Sequence, residues 1–205
     1  MMKQLTVFFL CASAILLAQK KKKFDMDVVS NIEAKAIVMK PFGHNTYAKD
    51  LETFYGFGFG GNLMTPLNFG IGIEDNLLLS NVKLGHENKY GSISSPKIHN
   101  FDFFLTHRDQ LSEDFSIEEM VGYSYYLMSN VYTYDQNQNS RISGSGLNLG
   151  GKFLYTLDRE GIQQFYFSAK VNFYYSGVFN ENTDIQNYYN RSVFVSGGIG
   201  YRYNF

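Results

Sequence analysis

Along most of the chain, apolar and polar side chains alternate one by one. The cleanest run comes last: Val193, Val195, Gly197, Ile199, Tyr201, Tyr203 and Phe205 interleave with Phe194, Ser196, Gly198, Gly200, Arg202 and Asn204. Successive strand side chains point to opposite faces, so this period of two predicts one strand with an apolar face and a small, polar face. The same alternation predicts strands over 24–39, 53–63, 67–79, 98–107, 115–128, 143–157 and 164–176, which makes eight in all. Two positions fit badly. Asp75 and Glu119 fall on the apolar face, where a bulge or a place near a membrane interface would accommodate them.

The gaps between these strands alternate in length. They are long at 40–50, 83–97, 130–141 and 178–191, and short at 64–66, 108–114 and 158–161. Long, polar connections therefore gather at one end of the sheet and turns at the other. Closing eight antiparallel strands on themselves leaves no unpaired edge. The pattern predicts an all-β, eight-stranded antiparallel up-and-down transmembrane β-barrel, with four long loops at one end and three short turns at the other.

A water-soluble, lipocalin-like barrel around an apolar ligand has the same strand count but the opposite faces. The apolar set here holds bulky rings, among them Phe57, Phe59, Phe101, Phe103, Phe165, Phe167 and Phe173, whereas the other set is rich in Gly, Ser and Asn. Large rings suit the wide outer surface and small residues the crowded interior. Charge points the same way. Glu33, Lys35, Glu74, Asp102, Glu118, Lys152, Lys170 and Arg202 all fall on the small, polar face, four acidic and four basic. In a closed lumen they can pair, whereas a Lys or Arg facing lipid at mid-depth costs about 2–4 kcal/mol. Tyr123, Tyr125, Tyr155, Tyr175, Tyr201 and Tyr203 near strand ends suit interfacial girdles, although the chain has no Trp.

Composition sharpens this reading. Of 205 residues 44% are hydrophobic, which excludes a disordered chain. The 18 basic and 19 acidic residues nearly cancel, so no overall basic field points to nucleic acid. Lys3 followed by an apolar run to Ala18 reads as a secretory signal over 1–18, with Lys20 to Lys23 in a basic linker at 19–23 and the barrel over 24–205. The only cysteine, Cys11, lies within that signal, so the mature chain needs no particular redox compartment.

The final residues, Tyr201-Arg202-Tyr203-Asn204-Phe205, resemble the C-terminal signal of Gram-negative outer-membrane barrels, an aromatic-alternating strand ending in Phe. With the leader and the strand pattern, the chain resembles the small eight-stranded outer-membrane β-barrel family over about 24–205. The resemblance implies a bacterial outer-membrane location, with lipid as the surrounding partner. It also implies escort by periplasmic chaperones and insertion by the barrel assembly machinery, which would read Tyr201, Tyr203 and Phe205.

Motifs for chemistry are sparse. Gly56, Gly58 and Gly61 match a dinucleotide pattern but lead into a strand rather than a helix, so inward glycines making room in a narrow barrel explain them better. Asp135, Asn137 and Asn139 open like a calcium loop that then lacks its Gly and Glu. No cofactor is expected. His44 or His86 with Ser92, Ser94 or Ser95 is the constellation a lipid-modifying enzyme would use. The expectation is a non-catalytic barrel with a filled lumen, whose extracellular loops act in binding, adhesion or envelope integrity. Lys89, Tyr90, Tyr188, Tyr189 and Arg191 are the candidate loop contacts to an unknown ligand.

Overall fold

A computed structural model describes residues 28–86, 96–131, 139–177, 183, 187 and 190–205. Eight strands follow one another: β1 (Val29–Phe42), β2 (Phe54–Met64), β3 (Phe69–Leu79), β4 (Lys97–Gln110), β5 (Phe115–Val131), β6 (Asn139–Thr156), β7 (Gln163–Tyr175) and β8 (Arg191–Asn204). Each pairs antiparallel with its neighbours, and β1 closes on β8. The turns between β2 and β3, β4 and β5, and β6 and β7 occupy 65–68, 111–114 and 157–162. Asn68 takes a left-handed conformation (φ 63°) in the first of these, a role Asn tolerates better than most residues. The 67–79 segment therefore starts its strand two residues later than the alternation suggests.

The register fixes the barrel's shape. From Ser30 the pairing runs through Leu63, Ile71, Leu105, Val121, Leu149, Val171 and Val195 and returns to β1 at Lys40, a stagger of ten residues. Ten residues over eight strands impose a tilt of about 40°, at roughly 3.3 Å rise per residue and 4.8 Å between strands. The stretch of β1 from Ser30 to Lys40 then climbs about 25 Å along the axis, the height of a lipid-facing apolar band.

The two faces differ throughout. Outside stand Phe57, Phe59, Phe101, Phe103, Leu147, Leu149, Phe165, Phe167 and Ile199, all exposed. Inside, the chain buries Arg202, Lys152, Glu118, Glu33, Lys170 and Asp102, each no more than 5% exposed. The pairing runs unbroken through both misfits, so neither Asp75 nor Glu119 marks a bulge. Asp75 stands on the outer wall between Phe59 and Phe101, and Glu119 lies near the short-turn rim opposite His107. Of the three motif glycines, Gly61 belongs to the outer parity of β2, so the reading of all three as inward is corrected: only Gly56 and Gly58 face the lumen.

Candidate functional site: the lumen and its mouth

The inward ionised groups form one chain of alternating charge. Arg108 Nη2 and Arg202 Nη1 both donate to Glu118 Oε2 at 2.9 Å, and Arg202 Nη2 reaches Glu118 Oε1 at 2.9 Å. Arg202 Nε also donates to Glu33 Oε1 at 2.7 Å, and Lys152 Nζ to Glu33 Oε2 at 2.6 Å. Lys152 lies 2.9 Å from Glu74 Oε1, while Lys35 and Lys170 take Glu74 Oε2 at 2.6 and 2.7 Å. Lys170 ends the chain on Asp102 Oδ2 at 2.7 Å. Every predicted inward charge belongs to it. Arg108 also belongs, though it lies one residue beyond the predicted strand 98–107.

The ionised groups come from every strand except β2, which supplies space and the Asn62 amide that donates to Glu118 Oε1 at 2.9 Å. A Cβ on Gly58 would stand 2.7 Å from Lys35 Cε, and one on Gly60 would stand 2.8 Å from Glu74 Cγ. Rings line the same layer: Lys152 Nζ sits 5.2 Å from the Phe104 centroid and 5.3 Å from that of Tyr166, within cation–π range. Toward the loops, Ser124 and Asn172 are joined to Asp102 by hydrogen bonds, and Asn148 donates to Ser124 at 2.8 Å.

Beyond this polar layer the lumen turns apolar, which the alternation does not reveal. Ile37, Met39, Phe54, Leu78, Ile98, Tyr126, Met128, Tyr174 and Phe194 pack together, all buried. A five-residue helix, α1 (Thr46–Asp50), caps the cluster from the loop between β1 and β2. Asn45 caps α1, its side chain accepting from the Ala48 N–H at 2.9 Å. Tyr47 drops onto the Tyr126 ring edge-on at 6.2 Å, and their hydroxyls meet at 2.9 Å. Burial raises the Tyr47 phenol above its ordinary pKa, which keeps it protonated in that contact. The ion network, with Phe104 and Tyr166 among it, fills the lumen toward the short turns, and the apolar cluster fills it toward the loops.

At the mouth, Asp50 is buried and its Oδ1 meets His86 Nδ1 at 2.6 Å. Thr46 Oγ1 donates to the other Asp50 oxygen at 3.2 Å. His44 is exposed, in the same connection as α1. Ser92, Ser94, Ser95, Lys89, Tyr90, Asp135, Asn137, Tyr188 and Tyr189 lie outside the described residues. Arg191 is exposed at the start of β8, opposite Tyr175. Tyr201, Tyr203 and Phe205 all face outward; Tyr203 and Phe205 meet edge-on at 5.2 Å, and the Phe205 N–H donates to Ser30 O at 2.8 Å.

No family model and no curated protein matches the chain. Solved structures do. A major outer membrane protein of Thermus thermophilus aligns at TM-score 0.58 and 14% identity, over 87% of this chain and 100% of that one. Neisserial surface protein A aligns at 0.57 and 9%, over 87% and 97%. Ail, the attachment invasion locus protein of Yersinia pestis, in complex with the heparin analogue sucrose octasulfate, aligns at 0.54 and 11%, over 88% and 100%. At these identities the likeness is one of fold. The chain has the closed eight-stranded architecture of small outer-membrane barrels.

Proposed function

We propose that this chain is an integral protein of a bacterial outer membrane, a non-catalytic barrel with a filled lumen that works through the loops of its open end. One observation carries the reading. The exposed wall is apolar and aromatic on all eight strands, while the ionised groups pair with one another inside. Water would reject such a wall and hydrocarbon accepts it. The closed sheet leaves no free edge to satisfy within lipid. Above the apolar band, outward Lys40, Lys97, Arg141 and Arg191 are all exposed, placed to meet anionic headgroups of the outer leaflet. The ion network and the ring plug occupy the lumen in series, so the barrel conducts no ions and binding falls to the loops. Arg191, with Tyr188 and Tyr189 just before it in the chain and Lys89 and Tyr90 of the 83–97 connection, is the proposed contact surface. Insertion by the assembly machinery after chaperone escort, with Tyr201, Tyr203 and Phe205 as the recognised strand, belongs to the same reading.

The test is migration on a detergent gel with and without boiling, together with conductance in planar bilayers. A compact unboiled species that gives no channel steps supports the reading. A chain that remains in aqueous buffer without detergent overturns it.

A second reading rests on the Asp50–His86 pair, in which the carboxylate orients the imidazole through Nδ1 and leaves Nε2 as the proton acceptor, the arrangement of a general base. A lipid hydrolase at the mouth would then lose acyl release on His86→Ala. Folded wild-type protein that leaves an acylated glycolipid intact removes this alternative.

A further inference from the structure

On the outer wall at the short-turn rim, three potential ligands converge outside the lumen network. His107 and Asp109 are alternate residues of β4 and so project from the same face, and the register sets Glu119 of β5 directly opposite His107. His107 Nδ1 lies 3.3 Å from Glu119 Oε2 and 3.7 Å from Asp109 Oδ2. All three ligand atoms fall within 4.8 Å of one another, and among the described residues no other group of His, Cys, Asp and Glu does so. The His107 and Asp109 side chains are only 14% and 15% exposed, whereas Glu119 is 65% exposed. The Phe69 ring, 4.5 Å from the imidazole, covers the His107 face. His107 and Asp109 are therefore held by packing, and the more exposed Glu119 is joined to them through its contact with His107 Nδ1.

We propose that His107, Asp109 and Glu119 form a binding site for a divalent transition metal on the outer wall of the barrel. Ligands about 2.0–2.2 Å from a tetrahedral ion stand roughly 3.4 Å apart, close to both distances already measured from Nδ1. The third edge, between the two carboxylates, is no longer than 4.8 Å, and Glu119 is the more exposed of the pair. With neutral imidazole the set carries two negative charges, which a divalent ion cancels at a rim flanked by apolar wall. One nitrogen with two carboxylate oxygens favours Zn²⁺, Mn²⁺ or Co²⁺ over soft Cu(I), and the three ligands leave a coordination position for water. The neighbouring cation, Arg108, points into the barrel, where Glu118 engages it. Acidic Glu113 and Asp114 in the adjoining turn add to the local negative field.

The experiment is titration of untagged, chelator-treated full-length protein in detergent with Zn²⁺ by calorimetry, beside His107→Ala, Asp109→Asn and Glu119→Gln. Folding of each variant is checked by its unboiled gel migration. One equivalent per chain, weakened at least tenfold in each variant and unchanged in His86→Ala, is the expected result. Wild-type protein without saturable binding, or variants that bind as well as wild type, would overturn the proposal. Should a variant fail to fold, Mn²⁺ broadening of wild-type amide resonances decides. Broadening centred on residues 107, 109 and 119 supports the site, and broadening centred elsewhere refutes it.

Discussion

Glu118 is the most exacting test of the lumen, because one carboxylate serves two guanidinium groups and an amide. Its side chain is fully buried and accepts from Arg108 at 3.2 and 2.9 Å, from Arg202 at 2.9 Å on each oxygen, and from Asn62 at 2.9 Å. Glu118→Gln keeps the volume and removes the charge. Arg202 retains Glu33, but Arg108 is left with its main carboxylate partner neutralised, and the two guanidinium groups now face an amide. Breaking a buried pair by neutralising one member costs about 3–5 kcal/mol. The variant should therefore lose that much stability in urea unfolding followed by far-UV circular dichroism and gel migration, since the chain has no Trp to report. The companion is Arg108→Met. Alone it removes one of two partners and should cost about 1–2 kcal/mol, but in the Glu118→Gln background it removes an uncompensated cation. The double variant should then be about 1–3 kcal/mol more stable than additivity predicts. A Glu118→Gln loss below about 1 kcal/mol, or strict additivity in the double variant, would refute the account of the lumen as a coupled ionic chain.

Three further outcomes follow from the same geometry. Asp75→Leu replaces the carboxylate between Phe59 and Phe101 on the outer wall and should stabilise the barrel in lipid vesicles by about 1–2 kcal/mol; equal or lower stability would mean that Asp75 does not face hydrocarbon. Gly200→Ala would drive a methyl into the Tyr166 ring and should cost about 1–3 kcal/mol by urea titration, whereas Gly161→Ala, at a turn with open space around it but φ 74°, tests backbone strain alone and should cost roughly 1 kcal/mol. Tyr47→Ala removes the cap over Tyr126 and Phe194 and should speed hydrogen exchange at the loop end of β5 and β8 while leaving β4 near Arg108 unchanged; uniform change along the barrel would contradict a lumen divided into two halves.

Alternation along the chain carries most of the architecture, because outer wall and lumen differ in polarity at nearly every step. It discloses which face each of Glu33, Lys35, Glu74, Asp102, Glu118, Lys152, Lys170 and Arg202 occupies, but not who meets whom. Lys152 finds Glu33 across 119 residues, a pairing set by the ten-residue stagger and invisible to local pattern. The ring plug is hidden for a different reason. At Phe54, Tyr126 and Met128 both faces of the strand are apolar, so polarity cannot say which way they point, whereas Phe194 keeps the inward parity of Ser196 and Arg202. Arg108 escapes because the predicted strand stops at 107, although continuing the period by one residue would have turned it inward. The rim site was legible in part. A turn at 111–114 sets 107 opposite 119, and His107 and Asp109 share a parity, yet their closeness depends on rotamers packed under Phe69.

Arg202 sits on the last strand, and its carboxylate partners sit on the first and the fifth. Until β8 arrives, Glu33 has only Lys152 and Glu118 only Arg108 as a cationic partner, and β1 has an open edge in the same place. Closing the seam therefore also brings Arg202 to both carboxylates. The strand that completes the sheet is thus also the one that completes the ion network.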